Sequence, residues 1–272
     1  MKKRLMLLAI VVSLLSFAAA VQADAMDGDA IVRRANHVSF YQGETCKGNV
    51  NLIITDAQGR NRQRELNILR MNLPGEDRGQ KYLAFFKSPA DVRKMVFLVH
   101  KTVEPGQDDS RWLYMPGLDL VKRIAAGDKR TSFAGSDFLY EDISGRNLDE
   151  DRHERMEDRD GLLVVANTPK VSGGVEFTHY LAFVDPLTFI PLRVEYYKDD
   201  RVYRIMEVLR VEDVPSGDSG GVYPTVTRSR VTNLETGSST VMTFSGVSYG
   251  VSIEERIFSE RYLRRPPQEV MR

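Results

Sequence analysis

Short apolar stretches follow one another along most of this chain, and the connections Asp158-Arg159-Asp160-Gly161, Lys198-Asp199-Asp200-Arg201 and Glu235-Thr236-Gly237 are of hairpin length. A connection that short reverses the chain and leaves no room for a crossover, so the strands it joins pair antiparallel. Strand texture begins at 50–54, turns at Asp56-Ala57-Gln58-Gly59 and returns over 64–71. It continues over 81–87, 95–101, 111–115, 121–125, 153–158, 162–167, 175–184, 192–198, 202–211, 222–233 and 239–247. Helical spacing is confined to a first helix in which Asp29 precedes Ile31, Ala35 and Val38, to the segment 136–143, and to the chain's far end. The pattern predicts an α+β fold, a curled antiparallel sheet with a few packed helices. The polar stretches 104–110 and 215–221 are loop-length and no fixed period repeats, so residues 24–272 are expected to form one domain.

The strand faces carry a second constraint. Leu192, Val194 and Tyr196 alternate with Arg193, Glu195 and Tyr197, as in a sheet with one wet face. Tyr82 to Phe86, Trp112 to Met115 and Tyr180 to Val184 are instead apolar on both faces and need cover on both. Helices are one such cover. The other is either a filled core or a cavity closed by the curling sheet.

The first residues read as an export signal. Lys2, Lys3 and Arg4 precede an apolar run from Leu5 to Phe17, and Val21-Gln22-Ala23 forms a cleavage site before Asp24. The run is shorter than the roughly 20 residues of a spanning helix. The one cysteine, Cys46, lies well inside the chain, so no lipoprotein-type signal is present. Cleavage after Ala23 leaves a periplasmic protein of net charge −3 in a bacterial cell. Equal numbers of basic and acidic residues, 38 each, exclude the cationic footprint of a nucleic-acid binder. One cysteine and four histidines make neither a disulfide nor an obvious metal centre, and no cofactor is expected.

Three local motifs point to chemistry and are outweighed. Gly217-Asp218-Ser219-Gly220-Gly221 spells the nucleophile run of chymotrypsin-like proteases. None of His37, His100, His153 or His179 sits in an Ala-Ala-His-Cys context, so a glycine-rich hairpin loop is the better reading. The acidic stretch from Asp149 to Asp160 lacks the closing glutamate of a calcium loop and is interleaved with Arg152, Arg155 and Arg159, as in a charge-balanced hairpin. Ser136 or Asp137 is expected to cap the helix that follows. Cys46 reads as a buried inert thiol, and His100 and His179 as satisfied core histidines.

The centre of the chain is more specific. Arg111-Trp112-Leu113-Tyr114-Met115-Pro116, Val121-Lys122-Arg123-Ile124, Ser132-Phe133-Ala134-Gly135-Ser136-Asp137-Phe138 and Tyr140-Glu141-Asp142 closely resemble the LolA-like outer-membrane lipoprotein-sorting protein family. Phe86 with Pro89-Ala90-Asp91-Val92, and Asp185-Pro186 through Pro191 to Glu195-Tyr196-Tyr197, fit the same family. Lys94 stands where the family tends to have glycine, and Ala134 where it has a bulkier apolar residue. The resemblance implies a half-open barrel of about 11 strands with helices over its concave side, and a periplasmic, non-catalytic carrier of lipid or lipoprotein acyl chains. It also implies a partnership with an inner-membrane transporter of the resistance–nodulation–division superfamily. On this reading Trp112, Tyr114, Met115, Phe133, Phe138 and Tyr140 line the hydrophobic cavity, and Arg111, Lys122 and Arg123 meet a head group at its mouth. Two other classes stay open: a ligand-free accessory of such a transporter, and a hydrolase.

Overall fold

The computed structural model describes residues 26–104, 106–217 and 220–271, so the expected signal segment 1–23, Asp218 and Ser219 lie outside the described residues. The first six strands are β1 (Thr45–Thr55), β2 (Asn61–Asn72), β3 (Gly79–Ser88), β4 (Val96–Thr102), β5 (Ser110–Met115) and β6 (Leu120–Ile124). The remaining seven are β7 (Asp151–Arg155), β8 (Leu163–Pro169), β9 (His179–Val184), β10 (Pro191–Lys198), β11 (Arg201–Pro215), β12 (Val222–Asn233) and β13 (Ser238–Tyr249). All pair antiparallel in one 13-stranded sheet, ordered β6-β5-β4-β3-β2-β1-β13-β12-β11-β10-β9-β8-β7. The resemblance implied about 11 strands. The apolar segments along the sequence mark the larger number, one for each strand found.

This order determines where the sheet's cover comes from. Consecutive strands are neighbours throughout except β6 and β7, which are the two free edges of a sheet that does not close. Residues 125–150 therefore have to travel from one edge to the other. They cross one face, here called the inner face, carrying Phe133, Phe138 and Tyr140 onto it. Phe133 packs its ring 5.5 Å from Phe86 and 5.6 Å from Phe97, and Tyr140 lies 4.9 Å from Phe97. Such tilted and edge-on ring pairs add roughly 0.5–1.5 kcal/mol each beyond the area they bury.

Helix α1 (Gly28–Asn36) closes the other half of the inner face. It starts two residues earlier than a cap at Asp29 would place it, because Asp27 caps it by accepting from the Ala30 N–H at 2.8 Å. Its buried face, Ile31, Val32 and Ala35, packs on Leu163, Val165 and Val184. Gly28 is dictated by that contact: a Cβ there would lie 2.8 Å from the His153 carbonyl oxygen. A five-residue π-helical turn, His37–Tyr41, then leads into β1.

The segment 136–143 is less helical than expected. Only α2 (Tyr140–Ser144) forms, and neither Ser136 nor Asp137 caps it. The Ser136 hydroxyl donates to the Phe133 carbonyl at 2.7 Å, and the Asp137 carboxylate accepts from Ser238 and Thr240 of β13. Asp142, inside the helix, accepts from the Leu139 N–H at 2.7 Å instead.

Two of the three two-faced apolar segments, those of β3 and β5, carry cover on both sides. The outer face of β2–β5 is roofed by residues 251–271, which end in α3 (Gln268–Met271). Ile257, Phe258, Leu263 and Val270 bury Leu69, Leu83 and Leu98 there. His100 Nε2 lies 2.6 Å from the Phe258 carbonyl, and Asn67 donates to the Val270 carbonyl at 3.0 Å. Lys94, where the family tends to have glycine, has φ +69° in the turn between β3 and β4, a left-handed conformation that glycine adopts most easily.

One part of the sheet leaves its neighbours. β10 follows β11 only as far as Glu207, and β13 follows β12 only from Arg228, so the hairpin arm 208–227 is unflanked in the ladder. Register shifts at Val208–Val211 bend it. The gap beside β13 is bridged by Gln42 donating to the Pro224 carbonyl at 3.0 Å and by the Thr225 and Tyr249 hydroxyls 3.0 Å apart. Gly217 in the glycine-rich run serves this junction, since a Cβ there would sit 2.4 Å from the Tyr249 carbonyl oxygen.

Candidate functional site

Between the sheet's inner face and its covers lies a cavity of about 390 Å³. Its floor is Val50, Leu66 and Ile68 on β1 and β2, with Met206 on β11 and Met242 and Phe244 on β13. Its roof is Val32, Ala35 and Phe40 from the first helix and the turn after it, together with Phe133, Phe138 and Ile143. The volume falls within the roughly 300–1,000 Å³ of small-molecule sites, and the wall is mostly aliphatic and aromatic, as such sites are. The cavity extends to the gap beside the bent arm, where Val208, Thr225, Val226 and Tyr249 line it.

A buried ion-pair cluster fixes the roof at the other end. Glu141, 2% exposed, is hydrogen-bonded to Arg130 and lies 3.3 Å from Lys129 and 3.2 Å from Arg146. Arg146 also pairs with Glu150 at 2.6 Å and Asp151 at 2.7 Å. Arg130 reaches Glu176 at 2.6 Å, and Asp142 pairs with Arg204 of β11. The Tyr180 hydroxyl donates to Asp151 at 2.9 Å, and the Arg130 guanidinium lies over the Phe177 ring. Burial raises the Glu141 carboxyl pKa, but Arg130, Arg146 and Lys129 outweigh it and hold the group below its usual value. Each charge is compensated, so the cluster tethers residues 129–150 to the β7–β11 half of the sheet and leaves no free acid or base.

A family model described as "uncharacterized protein" matches residues 78–265. A DUF1329 family protein from Desulfovibrio piger is 27% identical with a TM-score of 0.76, over 87% of this chain and 97% of that one. A crystal structure described as a putative outer membrane lipoprotein-sorting protein domain, from Vibrio parahaemolyticus, is 26% identical at the same TM-score, over 88% and 98%. The chain belongs to the family this model describes, that of the DUF1329 proteins. A LolA superfamily protein from Nitrosomonas europaea, 17% identical over 88% of this chain and 100% of that one, shares the fold at a TM-score of 0.65. No curated protein matches the sequence.

Within this LolA-like fold the residues singled out from the sequence separate by face. Phe133 and Phe138 line the cavity, while Tyr140 packs behind them. Met115 joins the edge of the inner cluster without lining the cavity. Trp112 and Tyr114 are corrections: they pair with Leu98 and Val96 and belong to the outer cluster under residues 251–271. Alternation places Arg111, Leu113 and Met115 on one face of β5 and Trp112 and Tyr114 on the other. An apolar strand gives no sign of which face meets a cavity. The three cations are corrections too, since none of them lines the cavity. Arg111 is buried against Asp109 at 2.5 Å, while Lys122 and Arg123 are exposed on the edge strand β6. Cys46, expected buried, is half-buried in the cavity wall. His179, expected in the core, stacks on Tyr197 at 4.5 Å near the surface.

The sequence reading missed the ion-pair cluster, although Tyr140-Glu141-Asp142 belonged to the family-like run. Its partners lie on separate segments, and no local spacing announces them. Glu176 supplies its pH signature. Burial raises the Glu176 pKa, but hydrogen bonds from Arg130, the Arg130 charge and the Tyr203 hydroxyl outweigh this and hold it at about 2, below the ordinary 4.5. A carboxyl whose pKa falls on folding stabilises the native state fully above its unfolded value, and that stability is lost as pH drops toward the folded value. Stability is therefore expected to decline from pH 4.5 toward about 2. Glu176→Gln should flatten that decline in urea midpoints measured across the range, and an equally steep decline in the variant would contradict the assignment.

Proposed function

We propose that the protein is a periplasmic carrier that shields an acyl chain of a lipid or lipoprotein in the inner-face cavity. The observation that carries this reading is the cavity itself, an apolar space held open between the sheet and a roof that ion pairs fix in place. Carriage requires burial and no bond chemistry: each methylene moved out of water contributes about 0.8 kcal/mol. The Vibrio parahaemolyticus relative, described as a lipoprotein-sorting domain, supports the same reading. Export through the segment 1–23 and a partnership with an inner-membrane transporter of the resistance–nodulation–division superfamily, delivering toward the outer membrane, complete the proposal. The test is a titration of the mature protein with a dansyl-labelled fatty acid. Saturable one-to-one fluorescence enhancement, reversed by unlabelled palmitate, is expected. Absence of saturable binding would overturn the carrier in favour of a ligand-free accessory role.

A further inference from the structure

Among the described residues, five charged ones border the cavity: Arg70, Glu141, Asp142, Arg146 and Glu207. Four are answered by opposite charges. Glu141 and Arg146 neutralise each other within the buried cluster, Asp142 pairs with Arg204, and Glu207 accepts from Arg193 at 2.8 Å. Arg70 differs. It is 7% exposed, and its guanidinium donates to the backbone carbonyls of Phe40, Gln42 and Gly43, the last at 3.0 Å. Its Nε–H has no hydrogen-bond partner, and among the described residues no carboxylate forms an ion pair with it. Carbonyl dipoles solvate a cation without cancelling its charge, and an uncompensated buried charge is costly. A second buried cation stands near Phe40. Lys101 donates to the Ser144 and Gly145 carbonyls at 2.7 and 2.8 Å, with its Nζ 5.6 Å from the Phe40 ring centre.

We propose that Arg70 is the head-group anchor of this cavity and that the cargo is an acyl-chain amphiphile with an anionic head, a carboxylate or a phosphate. The inference rests on the carrier reading and sharpens it. The chain lies along Ile68, Met206 and Phe244, and the anion meets the Arg70 guanidinium where it borders the cavity. Arginine suits this task because it keeps its charge when buried and presents planar donors that match both kinds of oxyanion. The head-group role expected of Arg111, Lys122 and Arg123 passes to a residue of β2 at the cavity wall.

The experiment compares dodecanoate, dodecyl phosphate and dodecanol, which share a chain and differ in the head, by calorimetric titration of the mature protein. A hydrogen bond to a charged group is worth enough to make at least one of the anions bind about tenfold or more tighter than the alcohol. That advantage over dodecanol is expected to vanish in Arg70→Gln and to persist in Arg70→Lys. Preference for the carboxylate alone identifies a fatty acid, and preference for the phosphate alone identifies a phospholipid; both support the anchor. Equal binding of all three ligands by the wild-type protein overturns the anchor while leaving the carrier intact. Binding of none overturns the carrier itself. The wild-type comparison needs no variant, so it decides the question even where Arg70→Gln fails to fold.

Discussion

Glu141→Ala is expected to destabilise the protein by about 3–5 kcal/mol, the usual consequence of leaving buried charges without their partner. Glu141 lies at the meeting point of Arg130, Lys129 and Arg146. Its removal leaves Arg130 with Glu176 alone and Arg146 with Glu150 and Asp151, around a hole where a carboxylate stood. The loss should be a downward shift of the urea midpoint. It should also loosen the roof, because Glu141 positions Arg146, whose pair with Asp151 ties residues 129–150 to β7. Arg193→Ala is the useful control. Its pairs with Glu195 and Glu207 are only partly buried, and such pairs contribute about 0–1 kcal/mol. A loss for Glu141→Ala no larger than that of the control would mean the cluster is not what holds the roof.

The second large effect concerns the cavity. Ile68→Trp places an indole where the floor meets the empty space, between Leu66 on its own strand and Met206 and Phe244 nearby in the wall. Ile68 is only half-buried, so the larger ring enters existing space and need not displace packed neighbours. Acyl-chain affinity is expected to fall by more than about tenfold, because each methylene excluded forfeits about 0.8 kcal/mol, while the urea midpoint moves little. Trp112→Phe is the matched control: it sits on the outer face beside His100 and should leave uptake unchanged. Equal uptake by Ile68→Trp and the wild-type protein would place the ligand somewhere else.

The fold was more legible than the site, for a physical reason. Hairpin-length turns and period-two apolarity are local, and they marked a segment in every strand. They also showed that β3 and β5 need cover on both faces. What no local pattern supplies is the identity of the cover. Residues 251–271 contain little regular structure, yet they bury the outer face through Phe258 and Leu263. The same ambiguity misplaced Trp112 and Tyr114, because two apolar faces of one strand look alike until the partner of each is known. Phe133 and Phe138 reached the cavity because the chain must cross from β6 to β7, and the two phenylalanines ride on that crossing. Arg70 was invisible for a different reason. Nothing in Asn67-Ile68-Leu69-Arg70 distinguishes an inward cation from an exposed one at a strand's end. Its meaning comes from the carbonyls of Phe40, Gln42 and Gly43, and from the carboxylate it lacks.

The carrier account is tested most directly by native mass spectrometry, with lipid extraction, of the mature protein purified gently from the periplasm. The account predicts a discrete added mass at one copy per chain, which extraction identifies as an acyl lipid with an acidic head. A bare protein that also takes up no fatty acid in the titration would contradict it.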